Sequence, residues 1–187
     1  MLFEINEPAE YVWISALDSK PEVEQILKAM REKTPSVSVQ LVDLDKVAGS
    51  RYLLLATFNA LKSFRSRQPI ARSLGMEMLL YIAANRQIGE ALSRVGVTAD
   101  TKRVAAVAVG NSREQVLGAA TALSELLMKE PLDNLVDEWN PERIRNVRSL
   151  LDIGENELKA TIRKDEAMPK TLERLAIERS AMLAIKK

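Results

Sequence analysis

The chain has no histidine and no cysteine among its 187 residues, and only 4% of them are aromatic. Without those two residue types it can build no zinc site of the His/Cys kind, no thiol nucleophile and no histidine-dependent triad. Metal sites made of carboxylates alone, and a Lys or Ser/Lys nucleophile, stay open. Lack of cysteine fits a reducing compartment. An excess of one charge is missing too: 27 Lys and Arg stand against 26 Asp and Glu. No global field therefore draws the molecule onto nucleic acid or membrane, and any such affinity has to be local. No apolar run approaches the roughly 20 residues that span a bilayer. "MLFEINEPAE" places three glutamates where a secretory signal would have a basic start and an uncharged apolar run. The expectation is a soluble, cytoplasmic protein. Gly-rich phosphate loops are also absent, since "AVGNSREQ" has one glycine before a helix and no Walker spacing. Glu22 with Glu24, and Asp133 with Asp137 and Glu138, have Lys and Arg around them but no companion base, and read as surface charges. No catalytic residue, metal site or cofactor is expected.

What is present is a sequence of strand and helix signals. "YVWISAL" (Tyr11 to Leu17) is β-branched and aromatic, and Ser19, Pro21 and Glu22 then look like a helix start. Val23, Ile26, Leu27 and Met30 line one face of that helix, "TPS" stops it, and "VSVQLVDL" alternates as a second strand. "RYLLLATFNALKSF" predicts a helix with Leu54, Phe58 and Leu61 on one side, broken by Pro69. "SLGMEMLLYIAA" predicts another, and "IGEALSRVG" a third with Ile88, Ala91, Leu92 and Val95 inward and Gly96 as its stop. "RVAAVAVG" has the pattern of a strand covered on both faces, and "SREQVLGAATALSELLMK" that of a serine-capped helix with Val116, Ala120, Leu123 and Leu127 inward. Charged helical segments follow, and "RKDEAMPK" is polar enough for a flexible joint before the last helix. The expected fold is α/β: a single domain over 1–187, with a small central mixed β-sheet surrounded by several α-helices. The segment 164–187 is expected to be a C-terminal helix with apolar residues on two faces. Leu172, Leu175, Ala176 and Arg179 follow one face; Ile177, Ala181, Ala184 and Ile185 fall toward another. One face can pack on the body while the second meets a partner; alternatively both seal the core.

Two local features bear on function. Between Asp45 and Glu77 lie Lys46, Arg51, Lys62, Arg65, Arg67 and Arg72 with no acidic residue among them. Such a strip is either an electrostatic footprint for nucleic acid or a solvated face whose negative partners come from elsewhere. Asn85, Arg86 and Gln87 interrupt two apolar helices just before Ile88. Asn85 can cap the second helix. An arginine beside an aliphatic surface suits an unstacked base, which it can stack on or hydrogen-bond; equally, Arg86 can satisfy helix-end carbonyls.

"QPIARSLGMEMLLYIAANRQIGEALSRVGV" followed by "RVAAVAVG" resembles the signature region of the small kinase-binding subunit of the KEOPS complex, called PRPK-binding protein in animals. In that family an "I-A-x-S" link leads to an "E-x-L-x-x-x-A-x-x-x-Q-I-x-x-A-I-x-x-x-G" run. Ile70, Ala71, Ser73, Glu77, Leu79, Ala83, Gln87, Ile88, Ala91 and Gly96 match it, with Leu92 where isoleucine is usual. "VRSLLDIGENELKATI" is similar to the family's later helix pair, and the chain is read as an archaeal member. The resemblance implies a non-catalytic subunit of the machinery that installs threonylcarbamoyladenosine on tRNA. It would bind the small atypical kinase/ATPase subunit through Leu172, Leu175, Ile177, Leu183 and Ile185. It would recruit tRNA by its single-stranded 3′ CCA end through Lys62, Arg65, Arg67, Arg72, Arg86, Gln87 and Ile88. The alternative is a pure protein scaffold or activator of the kinase without direct RNA binding.

Overall fold

The structure, a computed structural model, describes residues 1–5, 10–19, 22–66 and 69–185. These residues form two compact units, each assembled from two stretches of chain: Met1–Leu44 with Val97–Val136, and Asp45–Gly96 with Asp137–Lys187.

The first unit holds the sheet. Its strands are β1 (Leu2–Ile5), β2 (Glu10–Leu17), β3 (Ser38–Asp43) and β4 (Val104–Gly110), in the order β1-β2-β4-β3. All pairings are antiparallel, which corrects the expected mixed sheet. The reason is visible in the topology. Strands β2 and β3 do run the same way, as a strand-helix-strand start requires, but β4 inserts between them and opposes both. Period-two alternation puts Trp13 and Leu17 of β2, Leu41 of β3 and Val104, Ala106 and Ala108 of β4 in one cluster. Cross-strand pairing sets large residues against small ones: Trp13 and Val39 flank Ala108, and Leu41 faces Ala106. Helices α1 (Val23–Lys33) and α5 (Arg113–Leu127) pack on this cluster through Met30, Val116, Ala119, Ala120 and Leu123. Leu127 is only partly buried there. Helix α1 takes Glu22 as its N-cap residue; Pro21 lies outside the described residues. Ser112 caps α5 as expected, its Oγ accepting from Gln115 N–H at 3.3 Å. Asp133 is more than a surface charge: it accepts from the Met1 ammonium, and from Ser15 Oγ at 2.6 Å.

The second unit is helical: α2 (Ser50–Arg65), α3 (Leu74–Ala83), α4 (Ile88–Val95), α6 (Pro141–Leu150), α7 (Glu155–Thr161) and α8 (Met168–Leu183). Two faces differ from the sequence expectation. In α2 the buried residues are Tyr52, Leu53, Ala56, Thr57, Ala60 and Leu61, while Phe58 is exposed and Leu54 half-buried. In α4 only Ala91 and Val95 of the four are buried; Ile88 and Leu92 face outward. Apolar content fixed neither face, because each helix carries more apolar residues than one stripe accommodates. Gly96 does end α4, with an ordinary φ of −62°. Its need is space, since a Cβ there would meet Leu92 O at 2.2 Å.

Polar anchors hold the ends of these helices. Asp137 accepts from Ser50 N–H and Ser50 Oγ, both at 2.8 Å, at the N-terminus of α2, so it too is more than a surface charge. Glu173 of α8 approaches the same helix end. Gly49 (φ 105°) leaves the room, because a Cβ there would stand 2.9 Å from Glu173 Oε1 and 3.1 Å from Asp137 Oδ1. Arg143 of α6 is fully buried. Its Nε donates to Val47 O at 3.0 Å, its Nη1 donates to Glu138 O, and its guanidinium lies 5.0 Å from the centre of a Trp139 ring. The polar joint before α8 is pinned by Glu166, which accepts from Thr171 Oγ1 and Arg174 Nη2, each at 2.7 Å.

Glu166, just before α8, and Glu173 within it titrate in opposite senses. The Thr171 hydroxyl above all, then Arg163 N–H and Arg174, hold the Glu166 carboxyl below its ordinary value. Burial, reinforced by the Asp137 charge, pushes Glu173 up. A lowered carboxyl stabilises the fold above its unfolded pKa and loses that contribution as pH falls; a raised one is most favourable when protonated and loses stability as pH rises. Glu166→Gln should therefore lower the melting temperature at pH 7 and lose that deficit in acid. Glu173→Gln should raise the melting temperature at pH 7 and converge on the wild type near pH 4. Melting curves of both variants between pH 4 and 7 check this, and parallel pH profiles would rule the assignment out.

Candidate functional site

A concave feature that gathers the sequence-selected cations lies wholly in the helical unit. It is a cleft of about 650 Å³. Lys62 and Ser66 reach it from α2 and its end, Ile70 from the link to α3, Tyr81 from α3, Arg86 from the α3–α4 junction and Leu183 from the end of α8. No acidic residue lines it among the described residues. Tyr81 is almost completely buried and forms its floor.

The Arg86 junction owes its shape to local backbone chemistry. Helix α3 ends on Ala84 in the left-handed region (φ 48°), and Asn85 N–H folds back to Leu80 O at 3.0 Å. Asn85 Oδ1 then accepts from Gln87 N–H at 2.8 Å, so Asn85 shapes the approach to α4 while Gln87 is the N-cap residue. Arg86 is thereby held between two fixed ends. Its Nη1 donates to Leu183 O at 3.2 Å, so one of the roles considered for it, satisfying a helix-end carbonyl, is present, with α8 supplying the carbonyl. The group remains exposed and in the cleft wall.

The link carrying Ile70 and Arg72 is fixed from below by Glu77, a fully buried glutamate. Its carboxylate accepts from Ser63 Oγ at 2.8 Å, Ile70 N–H at 2.9 Å and Ala71 N–H at 2.7 Å. A carboxylate can be buried without a cation when several donors converge on it. Sequence reasoning selected Glu77 only as part of a resemblance and gave it no role. Tyr81 and Ser66 were missed as well; nothing in periodicity separates a cleft floor from a core.

The structure brings Lys62 and Arg86 together. Arg65 and Arg72 are exposed but outside the cleft lining, and Arg67 lies outside the described residues. Lys62 and Arg72 have no carboxylate partner among the described residues, whereas Arg65 and Lys46 do interact with neighbouring groups. Gln87 and Ile88 are exposed beside the junction and do not line the cleft; Ile88 is 42% exposed. On α8, Leu172, Leu175 and Leu183 are buried and Ile177 is half-buried; Ile185, just past the helix end, is 71% exposed. Of the face Leu172, Leu175, Ala176 and Arg179, the first three are buried and Arg179 is half-buried; of the other, Ile177 and Ala181 are half-buried, and Ala184 and Ile185 are exposed just beyond the helix end at Leu183.

Among the described residues no helix is long and apolar enough to cross a membrane. The model of one protein family, described as kinase binding protein CGI-121, matches residues 19–183. No curated protein matches the chain.

Proposed function

The chain belongs to the kinase binding protein CGI-121 family, and from that premise we propose that it is the non-catalytic, kinase-binding subunit of a KEOPS tRNA-modification complex that also recruits tRNA by its 3′ CCA end. The observation that supports RNA recruitment is the cleft. It sets Lys62 and Arg86 over an aromatic and aliphatic floor with no acidic residue among the described lining. Two cations hold phosphates; Tyr81, Ile70 and Leu183 offer an apolar surface to an unstacked base. A neutral protein needs no more than this local field to hold the last nucleotides of a strand.

Intact tRNA should bind more tightly than tRNA trimmed of its CCA end in a filter-binding assay. Lys62→Glu is the cleanest probe, because Lys62 is exposed and has no ion-pair partner among the described residues. It should weaken binding about tenfold and reduce the salt slope by about 0.7 for each single-strand phosphate released. Equal binding of intact and trimmed tRNA, unaffected by Lys62→Glu, would leave the protein as a pure scaffold or activator of the kinase.

For the kinase, the exposed end of α8 and the turn that follows it are the proposed contact. Ile185, in that turn, is the most exposed large apolar residue there. Ile185→Asp should abolish or strongly weaken association with the kinase in a pull-down while leaving the melting temperature unchanged. Deleting 181–187 is a poorer test, since it removes the buried Leu183 and the carbonyl that holds Arg86. Undiminished association of Ile185→Asp would move the interface off this face.

A further inference from the structure

A second group of arginines in the helical unit gathers at the C-terminal end of α6. Arg94 Nη1, from the last turn of α4, donates to Leu150 O at 3.1 Å, and Arg148 Nε reaches Ile153 O at 3.5 Å. Arg145 stands one turn before Arg148, exposed and without a hydrogen-bond partner among the described residues. None of the three is paired with a carboxylate among the described residues, unlike Arg179 nearby, which Glu157 engages at 2.8 Å. Arg145 and Arg148 border a cavity of about 340 Å³ with Ser149, Ile153, Gly154 and a single carboxylate, Asp152. Cations at a helix C-terminus satisfy carbonyls and the helix dipole, which accounts for one N–H of Arg94 and one of Arg148. It does not account for the rest. Each guanidinium carries five donors, so most of the donors on three unpaired arginines stay available, in the fork geometry that fits phosphate oxygens.

The geometry points to a second phosphate-binding site here, for the sugar-phosphate backbone of the same RNA whose 3′ end occupies the cleft. Two elements connect the sites. Helix α4 has Arg86 just ahead of it and Arg94 in its last turn, a separation of roughly 12 Å at 1.5 Å per residue. Helix α8 offers Arg179, whose Nε reaches Leu151 O at 3.4 Å, one turn before Leu183, which receives Arg86. A short single-stranded tail that leaves the cleft along α4 would bring the phosphates that follow it to Arg94, Arg145 and Arg148. The inference rests on the RNA-end reading for the identity of the strand, but not for its test.

The full-length protein is titrated with intact tRNA and with CCA-trimmed tRNA over a series of salt concentrations, as wild type and as Arg145→Glu. Arg145 is exposed and has no hydrogen bond or ion pair among the described residues, so the variant should melt as the wild type does. Trimmed tRNA should retain weak, salt-dependent binding, and Arg145→Glu should weaken both RNAs severalfold and lower the salt slope by about one. Trimmed and intact RNA bound alike, with the slope still lowered by Arg145→Glu, would keep this site and remove the CCA reading. An unchanged slope on both RNAs overturns the site. So does an Arg145→Glu variant that binds RNA normally yet loses the kinase, which would assign the arginines to a protein partner.

Discussion

Arg143→Ala should destabilise the protein by about 4 kcal/mol and lower its melting temperature by roughly 10 °C. The side chain is fully buried and donates to Val47 O and Glu138 O while lying against Trp139. Truncation leaves those carbonyls short of a donor, at about 1–3 kcal/mol each, and opens a cavity as long as the lost side chain. Arg143→Lys should recover only part of the loss, because an ammonium cannot bridge both carbonyls in the planar fork. Denaturant unfolding of the two variants measures this. A loss under about 1 kcal/mol for alanine would mean that water replaces the guanidinium and that the residue is not an anchor.

Glu77→Ala should cost about 3 kcal/mol and, separately, weaken RNA binding about tenfold. The second effect carries the diagnostic sign. Removing a carboxylate makes the surface more positive, which by charge alone favours RNA. Loss of affinity can then come only from geometry: Ile70 N–H, Ala71 N–H and Ser63 Oγ lose their common acceptor, and the link that carries Ile70 into the cleft is released. Glu77→Gln, which keeps one acceptor oxygen, should fall between. Tighter RNA binding by a folded Glu77→Ala variant would show that the link does not shape the cleft.

Regular elements were legible wherever one period dominated. The alternation of "VSVQLVDL", the unbroken apolar run of β4 and the serine before α5 each specify an element through short-range chemistry. Strand β1 left no trace in the sequence reading because its four residues, Leu2–Ile5, are too few to establish a period. The inward faces of α2 and α4 failed for the opposite reason: Phe58, Ile88 and Leu92 are as apolar as the residues that are buried, and only tertiary packing chooses among them. At the candidate site, Lys62 was readable as part of a strip without acidic residues, and Arg86 as a polar break between two apolar helices. The residues that position them were not. Glu77 sits in an apolar segment and Arg143 in a charged one, yet both are buried, and burial of a charged group depends on donors and acceptors distant in sequence, such as Val47 O for Arg143.

The contact between Arg86 and Leu183 O has a consequence beyond positioning. Leu183, which borders the cleft, is the last residue of α8 and Ile185 stands two residues on, so on the proposed reading two ligands of different kinds would each press on one short segment. Equilibrium binding then obeys a reciprocity: whatever factor by which an occupied outer face changes affinity for an RNA end, the RNA end changes affinity for the occupant of that face by the same factor. A coupling of 1–3 kcal/mol, ordinary for adjoining sites, would make each ligand report the presence of the other about 5- to 150-fold. Two binding isotherms measured in both orders close this thermodynamic cycle. On the proposed reading, a favourable coupling would make arrival of the RNA end strengthen the hold on the kinase.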